Sequence, residues 1–475
     1  ILLDLGRAQE ALEIFDRILA HHPDHREALV SRGASLLDLQ RPDDALAHYG
    51  RIEPRLQSAE ALLNRGVALH QLGRHPEALA SYDAALRIRP EFAVAHSNRI
   101  FLLDYLPDLD FTQHQAERAA YCRIQTRALP PPGQDHPNLR DPDRRLVVGY
   151  VSADFRHHSA AACFGPVLLR HDRNAFKVVC YSGVLAEDDW TRTFQERADL
   201  WRVTAALSDE DLAEQIRRDA VDILVDLSGH SKGNRLLVFA RKPAPIQVTA
   251  WGHTGGTGLP AVDYQFTDPV MVPPEVRHLF AEASIDLPCS ITFEAPPDTP
   301  EVTGPPVLSR GAITFGSLNR LNKTSPEALR LWARILRAVP GSRLLLKDVA
   351  LDEAHTRDAL LETLSGLGVD PDRVDLRGFS DRRSHLATYG EIDIAFDTFP
   401  QNGGITTWEA LWMGVPVLAL VRDRPACRLS AAILHAVGLD SWVARTEEGY
   451  VERAVGLAEN PGELRRFRET ARARI

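Results

Sequence analysis

A chain of 475 residues, 44% apolar and 25% charged, has room for about three domains of ordinary globular composition. Its formal net charge of −10 argues against nucleic acid or an anionic membrane as the main partner, and no apolar run is long enough to span a bilayer. Five scattered cysteines, with no CxxC and no Cys/His cluster, provide neither a disulfide framework nor a metal site, so a reducing, cytoplasmic setting is expected.

The chain opens on ILLDLG, with no Met and no signal-like segment, and closes on ETARARI inside a helical pattern; both ends read as cut from a longer protein. The first third repeats. Leu5-Gly6-Arg7, Leu39-Gln40-Arg41 and Leu72-Gly73-Arg74 recur about every 34 residues. Ala11, Ala45 and Ala78 sit in EALEIFD, DALAHYG and EALASYD, and Ala28, Ala61 and Ala95 occupy the next helical segments. Small residues at fixed helical positions let two helices approach closely, and Pro23 and Pro90 stop the second of them. Over residues 1 to about 105 this resembles the tetratricopeptide repeat, whose helix-turn-helix units stack into a superhelix because none can bury its apolar face alone. A further helix extends the array to 125, and the Pro-rich, aperiodic ALPPPGQDHPNLRDPDRR marks a linker over 126–145.

From Leu146 the pattern changes. LVVGYVS, FKVVCYS, DILVDLSG, PIQVTAWG and DYQFTD are short apolar runs with helical segments between some of them, which predicts a largely parallel α/β domain over 146–305. A second series over 306–475 reads AITFGSL, SRLLLKD, RVDLRGF, IDIAFDT, VPVLALV and SWVA. One of its helices is well marked, with Ser325 as N-cap and Pro326 in the first turn. The expected architecture is therefore an α superhelix followed by two doubly wound α/β domains, with ligands at the strand carboxyl ends and a cleft between the domains as the default site.

Five loops at such ends carry candidate chemistry. Asp397 closes the strand IDIAFDT, and Gly403-Gly404-Ile405-Thr406-Thr407 follows before a helix; its amides suit a phosphate, or the stretch is a tight turn with a Thr cap. FGSLNRLNKTSP brings Asn319, Arg320 and Lys323, two cations and polar amides suited to a diphosphate, or else a solvated loop. YVSADFRHHSAAACFGP offers Asp154, His157 and His158, where a His can bond or accept a proton near neutrality. AWGHTGGTGLPAVDY, with Gly252, allows close backbone approach to a flat ring such as a sugar, yet lacks the GxGxxG spacing of a dinucleotide site. GFSDRRSHLATYGEIDIAFD places Arg382 and His385 where they can flank a base or ribose. No serine elbow, HExxH or Walker loop competes.

VGYVSADF, DILVDLSGHSKGNRLLVFARKPAPIQVTAWGHTGGTG, DYQFTD, FGSLNRLNKTSP and GGITTWEALWMGVPV together resemble the O-linked N-acetylglucosamine transferase family, in its bacterial SPINDLY-like branch. The resemblance implies a GT-B arrangement of two Rossmann-like domains. It also implies inverting, metal-independent, cofactor-free transfer of GlcNAc from UDP-GlcNAc to Ser or Thr hydroxyls of proteins, with acceptors held along the repeat groove. By position, His158 matches the family histidine near sugar and acceptor, Lys323 the diphosphate lysine, and His385 a nucleotide-contacting His. Arg320 stands where the animal enzyme has Gln, Arg382 where it has Lys, Glu409 where an Asp holds the ribose, and Gly404 and Ile405 where it has His and Thr. Asn319, Gly403, Thr406 and Thr407 complete the expected nucleotide-sugar contacts, and Asp219 or Asp226 is a carboxylate alternative to His158 as base. Within the same fold, a protein O-fucosyltransferase using GDP-fucose is the neighbouring reading. A repeat scaffold with an inactive transferase domain is the reading from another class.

Overall fold

The computed structural model of the protein describes all residues except 1, 4, 5, 108, 131–135 and 142, so Leu5 of the first repeat and part of the expected linker lie outside the described residues. The chain forms two compact units, Ile1–Thr267 with Pro274–Asp286, and Asp268–Pro273 with Leu287–Ile475.

The first unit begins with the helices Ala8–His21, Arg26–Asp38, Pro42–Gly50, Ala59–Gln71, His75–Ile88, Ala93–Leu103 and Phe111–Gln125. The repeated alanines lie where helices touch: Ala11, Ala28, Ala45, Ala61, Ala78 and Ala95 are all buried. Tyr49 follows one of them into the same core, and its hydroxyl donates to the Val30 carbonyl at 2.8 Å, satisfying the one polar atom it buries. Capping follows the polar residues: Ser58 accepts from the Ala61 amide, and Asp110 with Gln113 closes a capping box on the last helix.

The same unit holds a seven-stranded parallel sheet made of β1 (Leu146–Ser152), β2 (Phe176–Ser182), β3 (Leu200–Val203), β4 (Ile223–Asp226), β5 (Ile246–Thr249), β6 (Tyr264–Thr267) and β7 (Ala283–Asp286). Their order is β3-β2-β1-β4-β5-β6-β7, so the winding direction reverses between β1 and β4. The outer strands β3 and β7 were not expected from the sequence. Both are edges: β3 is half-buried along most of its length, β7 is mostly exposed, and neither carries a continuous apolar run.

The second unit holds a six-stranded parallel sheet of β8 (Thr314–Ser317), β9 (Arg343–Lys347), β10 (Val374–Arg377), β11 (Ile394–Phe396), β12 (Val417–Leu420) and β13 (Val443–Ala444), all six of which the sequence marks. Their order is β10-β9-β8-β11-β12-β13, reversing between β8 and β11. Such a reversal opens a crevice at the strand carboxyl ends, because the two connections leave in opposite directions. Phe315 of β8 stacks on Phe396 of β11, which stacks on Trp332 of the Pro326–Ala338 helix, so a rigid aromatic layer underlies that crevice. Each such fully buried side chain contributes about 1.5–3 kcal/mol of apolar burial.

Two boundaries differ from expectation. The break foreseen at 305/306 lies inside the second unit, since residues preceding it are tied there: Trp408 Nε1 donates to the Ile291 carbonyl at 2.9 Å and Arg468 Nη1 to that of Thr303 at 3.1 Å. The helical array does not stand as a separate body but shares one unit with the first sheet, for a reason found in a glycine-rich loop described below.

Candidate active site

In the second unit the candidate residues collect at the β8/β11 reversal. After β8, Asn319 and the exposed Arg320 lead into a 3-10 turn at Leu321–Lys323. The Lys323 Nζ donates to the carbonyl of Asn402, 3.1 Å away in the loop after β11. That loop is heavily pinned: Thr398 Oγ1 donates to the Gln401 carbonyl, Asn402 Nδ2 to the Thr398 carbonyl, and the Asn402 amide to the Ala426 carbonyl. It delivers the chain to Gly404, the N-cap of the Ile405–Trp412 helix.

The first turn of this helix has amides at Gly404, Ile405 and Thr406 with no acceptor among the described residues. They carry the positive end of the helix dipole beside the Lys323 loop. Gly403 is required here by close approach: a Cβ would stand 2.5 Å from Thr406 Oγ1 and 3.0 Å from Asn319 Oδ1. Two expectations change. The Gly403 amide is not available to a phosphate, because it donates to Asp397 Oδ1 at 2.7 Å. Thr407 is not a phosphate donor either, since it is buried with its hydroxyl 2.7 Å from that of Ser430. Thr406 remains at the mouth, its hydroxyl donating to Asn319 Oδ1 at 2.7 Å.

Arg382 and His385 start the helix after β10 and converge on Glu409: Arg382 Nη1 lies 2.6 Å from Oε1 and His385 Nε2 3.4 Å from Oε2. Glu409 is 2% exposed while Arg382 is 54% exposed, so the carboxylate expected at a ribose is instead the buried anchor that orients two basic side chains.

In the first unit, His158 ends the β1 loop and caps the Ser159–Leu168 helix. The amide of Ala160 can only donate, so Nδ1, 3.2 Å away, accepts, and the neutral ring carries its proton on Nε2. In this tautomer His158 offers a donor rather than a base. Asp154 stands 3.5 Å from the same Nδ1.

Asp219 requires correction. It ends the Asp209–Arg218 helix, in the connection that enters β4 from its amino end, away from the carboxyl-end loops. Its carboxylate takes Arg202 at 2.7 Å, the Tyr181 hydroxyl at 2.9 Å and Gln215 at 3.1 Å, an assignment to structure rather than proton transfer. Asp226 is at the right end, yet it is closed by the Ser228 and Gly229 amides and the Thr249 hydroxyl.

The loop after β5 is corrected too. A Cβ on Gly252 would fall 1.7 Å from the Leu227 carbonyl oxygen, so this glycine exists for strand-end packing, not for a sugar ring. Farther along, Gly255 and Gly258 make room for Arg118 of the last helix of the array. Arg118 is 1% exposed; Nε donates to the Gly256 carbonyl at 3.1 Å and Nη2 to that of Thr254 at 3.3 Å, while Gln115 bonds the Gly255 carbonyl. Alongside, Asp104 pairs with His253 at 2.8 Å. Burial alone would raise the Asp104 carboxyl, but the His253 hydrogen bond and the charges of His253, His114 and Arg118 bring it down to about 2. The sequence offered no signal for this joint beyond the glycines, since no motif singles out Arg118.

These geometries meet the sequence comparisons directly. The profile of "Glycosyl transferase family 41" matches residues 105–293 and 304–474, and tetratricopeptide-repeat profiles match 1–58 and 59–92. The chain belongs to glycosyl transferase family 41. This family 41 chain is 37% identical over 394 residues, 82% of its own length, to a tomato (Solanum lycopersicum) protein named as a probable UDP-N-acetylglucosamine–peptide N-acetylglucosaminyltransferase SPINDLY. It is 31% identical over 75% of its length to the Arabidopsis thaliana protein SEC, named for the same probable activity. It spans 42% and 38% of those two proteins, well under half of each. A solved structure of a mutant Thermobaculum terrenum O-GlcNAc transferase matches all of the chain and 90% of its own, at 35% identity and a TM-score of 0.92. The two-sheet α/β architecture behind a tetratricopeptide array is thus the GT-B type expected from the motifs.

For a cation, the described residues of this family 41 chain bring one group of ligand atoms together, His157, Asp188 and Asp189. Asp188 there is already the N-cap of the Asp189–Arg197 helix, with one oxygen on the Thr191 amide and the other on the His157 amide. No described helix is long and apolar enough to cross a membrane.

Proposed function

We propose that this chain transfers GlcNAc from UDP-GlcNAc to Ser or Thr hydroxyls of proteins, with inversion and without a metal ion or other cofactor. The observation that carries the reading is the β8/β11 loop pair, where Lys323 is tied to the Asn402 carbonyl just ahead of a helix whose Gly404, Ile405 and Thr406 amides have no acceptor among the described residues, in a chain that matches an O-GlcNAc transferase structure over its full length. A diphosphate placed there meets one ammonium and a set of fixed dipoles, which can take the place of a divalent ion.

The acceptor oxygen attacks the anomeric carbon from the face opposite the diphosphate, and the bond from that carbon to the phosphate oxygen breaks. Negative charge grows on the departing phosphate, where Lys323 and the amides of Gly404, Ile405 and Thr406 stabilise it. His158 donates from Nε2 to an oxygen of the sugar or acceptor, and the hydroxyl proton passes to the departing phosphate. Arg382 and His385, held by Glu409, border the nucleoside, with Asn319 and Arg320 on the diphosphate side. The repeat array presents the protein acceptor along its groove, in a reducing, cytoplasmic compartment.

The test is a donor comparison. The chain is incubated with an acceptor protein and UDP-GlcNAc, GDP-fucose or UDP-glucose, and the product is read by mass spectrometry with and without EDTA. Transfer of GlcNAc that survives the chelator is expected. Transfer from GDP-fucose alone would replace the donor, loss in EDTA would remove the metal-free mechanism, and no transfer from any donor would favour an inactive scaffold.

A further inference from the structure

Among the described residues, Asp397 is the carboxylate lining the floor of the β8/β11 crevice, and the mechanism leaves it without a role. It follows Phe396, which is locked in the Phe315–Phe396–Trp332 stack, so its backbone cannot yield. It is 1% exposed. Its Oδ1 accepts from the Thr398 amide at 2.9 Å and the Gly403 amide at 2.7 Å, the two ends of the loop that carries Asn402, the partner of Lys323. Its Oδ2 has no hydrogen-bond partner among the described residues. The Ser430 hydroxyl beside it donates to the Gly403 carbonyl at 3.0 Å instead. Asp397 also lines a cavity of about 10 Å³ with Ser317, Asn319, Tyr389, Thr406 and Thr407, so it borders the cradle from within.

An ionised carboxylate in that place is at odds with a bound diphosphate, because two like charges would share a low-dielectric floor. We infer that Asp397 is a proton-linked positioning residue, one carboxyl oxygen holding the cradle loop and the other taking up a proton from solvent when the diphosphate of the donor arrives. The inference rests on the reading of this crevice as the diphosphate site. Lys323 and Tyr450 are the titratable groups that act on Asp397 from the neighbouring elements. Burial pushes the carboxyl up to about 7, against the pull of the Gly403 and Thr398 amides and the Lys323 charge, so the proton exchanges within the working pH range. The Oδ1 contacts survive protonation, since a carboxylic acid keeps its carbonyl acceptor.

The experiment is calorimetric titration of the full chain with UDP-GlcNAc, whose phosphodiester groups do not titrate near neutrality, in buffers of different ionisation enthalpy. If the bound diphosphate raises the carboxyl by about one further unit, uptake is about 0.4 proton per donor near pH 7, and affinity falls roughly eightfold from about pH 6 to about pH 9. Asp397→Asn, which keeps the acceptor and replaces the acid by a fixed donor, removes the uptake and flattens the pH profile. Asp397→Ala weakens binding throughout that range. A merely structural Asp397 would leave the wild-type slope in the Asn variant, and that outcome overturns the inference, as does binding to the wild type without proton uptake. Difference infrared spectroscopy of the wild type needs no variant: adding donor at about pH 8 raises a protonated-carboxyl band, and its absence also overturns the inference. Failure of the wild type to bind any UDP-sugar is a different result, which overturns the reading of the crevice itself and the inference with it.

Discussion

Two glycine-rich loops leave parallel sheets at strand carboxyl ends in this molecule, and they meet opposite fates. The loop after β5 is filled by the protein itself: Arg118 inserts its guanidinium against Gly255 and Gly258 and bonds the carbonyls of Thr254 and Gly256. The loop after β11 is not filled, and the amides at Gly404, Ile405 and Thr406 end without an acceptor among the described residues. The difference lies in which backbone groups point outward. Carbonyls call for a cation, and a helix of the same chain supplies one permanently; amides at a helix start call for an anion, and the proposed nucleotide donor would supply one.

The buried aspartates beside the two loops repeat the contrast. Asp104 has His253, His114 and Arg118 around it and stays ionised. Asp397 has the Lys323 charge and amides on one oxygen only, and burial prevails. One aspartate cements a joint, while the other is left able to exchange a proton.

The largest expected effect breaks the filled loop. Arg118→Met leaves the Asp104 and Glu282 carboxyls buried without their shared cation, and should cost about 3–5 kcal/mol in denaturant unfolding while the folded fraction keeps its affinity for UDP. A loss under about 1 kcal/mol would mean that the joint is held by apolar packing and by its other polar bonds, those of Gln115 and of Asp104 with His253, and not by Arg118. Next, Lys323→Met addresses the unfilled loop. Turnover with UDP-GlcNAc should fall about 10²–10³-fold with little change in melting temperature, and a drop within threefold at unchanged nucleotide affinity would remove Lys323 from the mechanism.

A smaller effect separates the two aspartates by pH. The folded Asp104 carboxyl lies below its unfolded value, so its stabilisation, about 2 kcal/mol, is complete above about pH 4 and is lost as pH falls from about 4 to about 2. Asp397 has the reverse sign: its folded carboxyl is raised, so its contribution weakens as pH rises from about 4 towards about 7. Unfolding followed across pH should show both slopes, and Asp104→Asn should remove only the acid one. The smallest effect is Gly403→Ala, where a Cβ 2.5 Å from Thr406 Oγ1 must displace the cradle and reduce donor affinity about tenfold. An unchanged affinity would show that the cradle tolerates movement and is not preorganised.

Much of this protein was legible before any coordinates. The 34-residue period located the helical array, because stacked identical units must bury the same small residues each time, as Ala45 and Ala78 do. The inner strands of the second sheet were visible as apolar runs, because a parallel strand covered on both faces leaves few polar positions to obscure it, and the edge β10 was marked by the apolar residues in RVDLRGF. The loops holding Lys323, Arg382 and Thr406 followed from strand ends and capping residues. The edges β3 and β7 carry no such run and were missed.

What the residues alone did not decide is which partner each polar group takes. Asp219 read as a candidate base and Glu409, Thr407 and Gly252 as ligands to a substrate, and the folded chain assigns each to another part of itself. Asp397, read only as the end of a strand, and Arg118, which no sequence motif singled out, prove to hold the two loops in place. Local pattern records burial and turn chemistry, which depend on near neighbours in the chain. Pairing between groups 87 residues apart, such as Thr406 with Asn319, or 138 apart, such as Arg118 with Gly256, depends on where the sheets and helices bring them, and only the tertiary structure carries that.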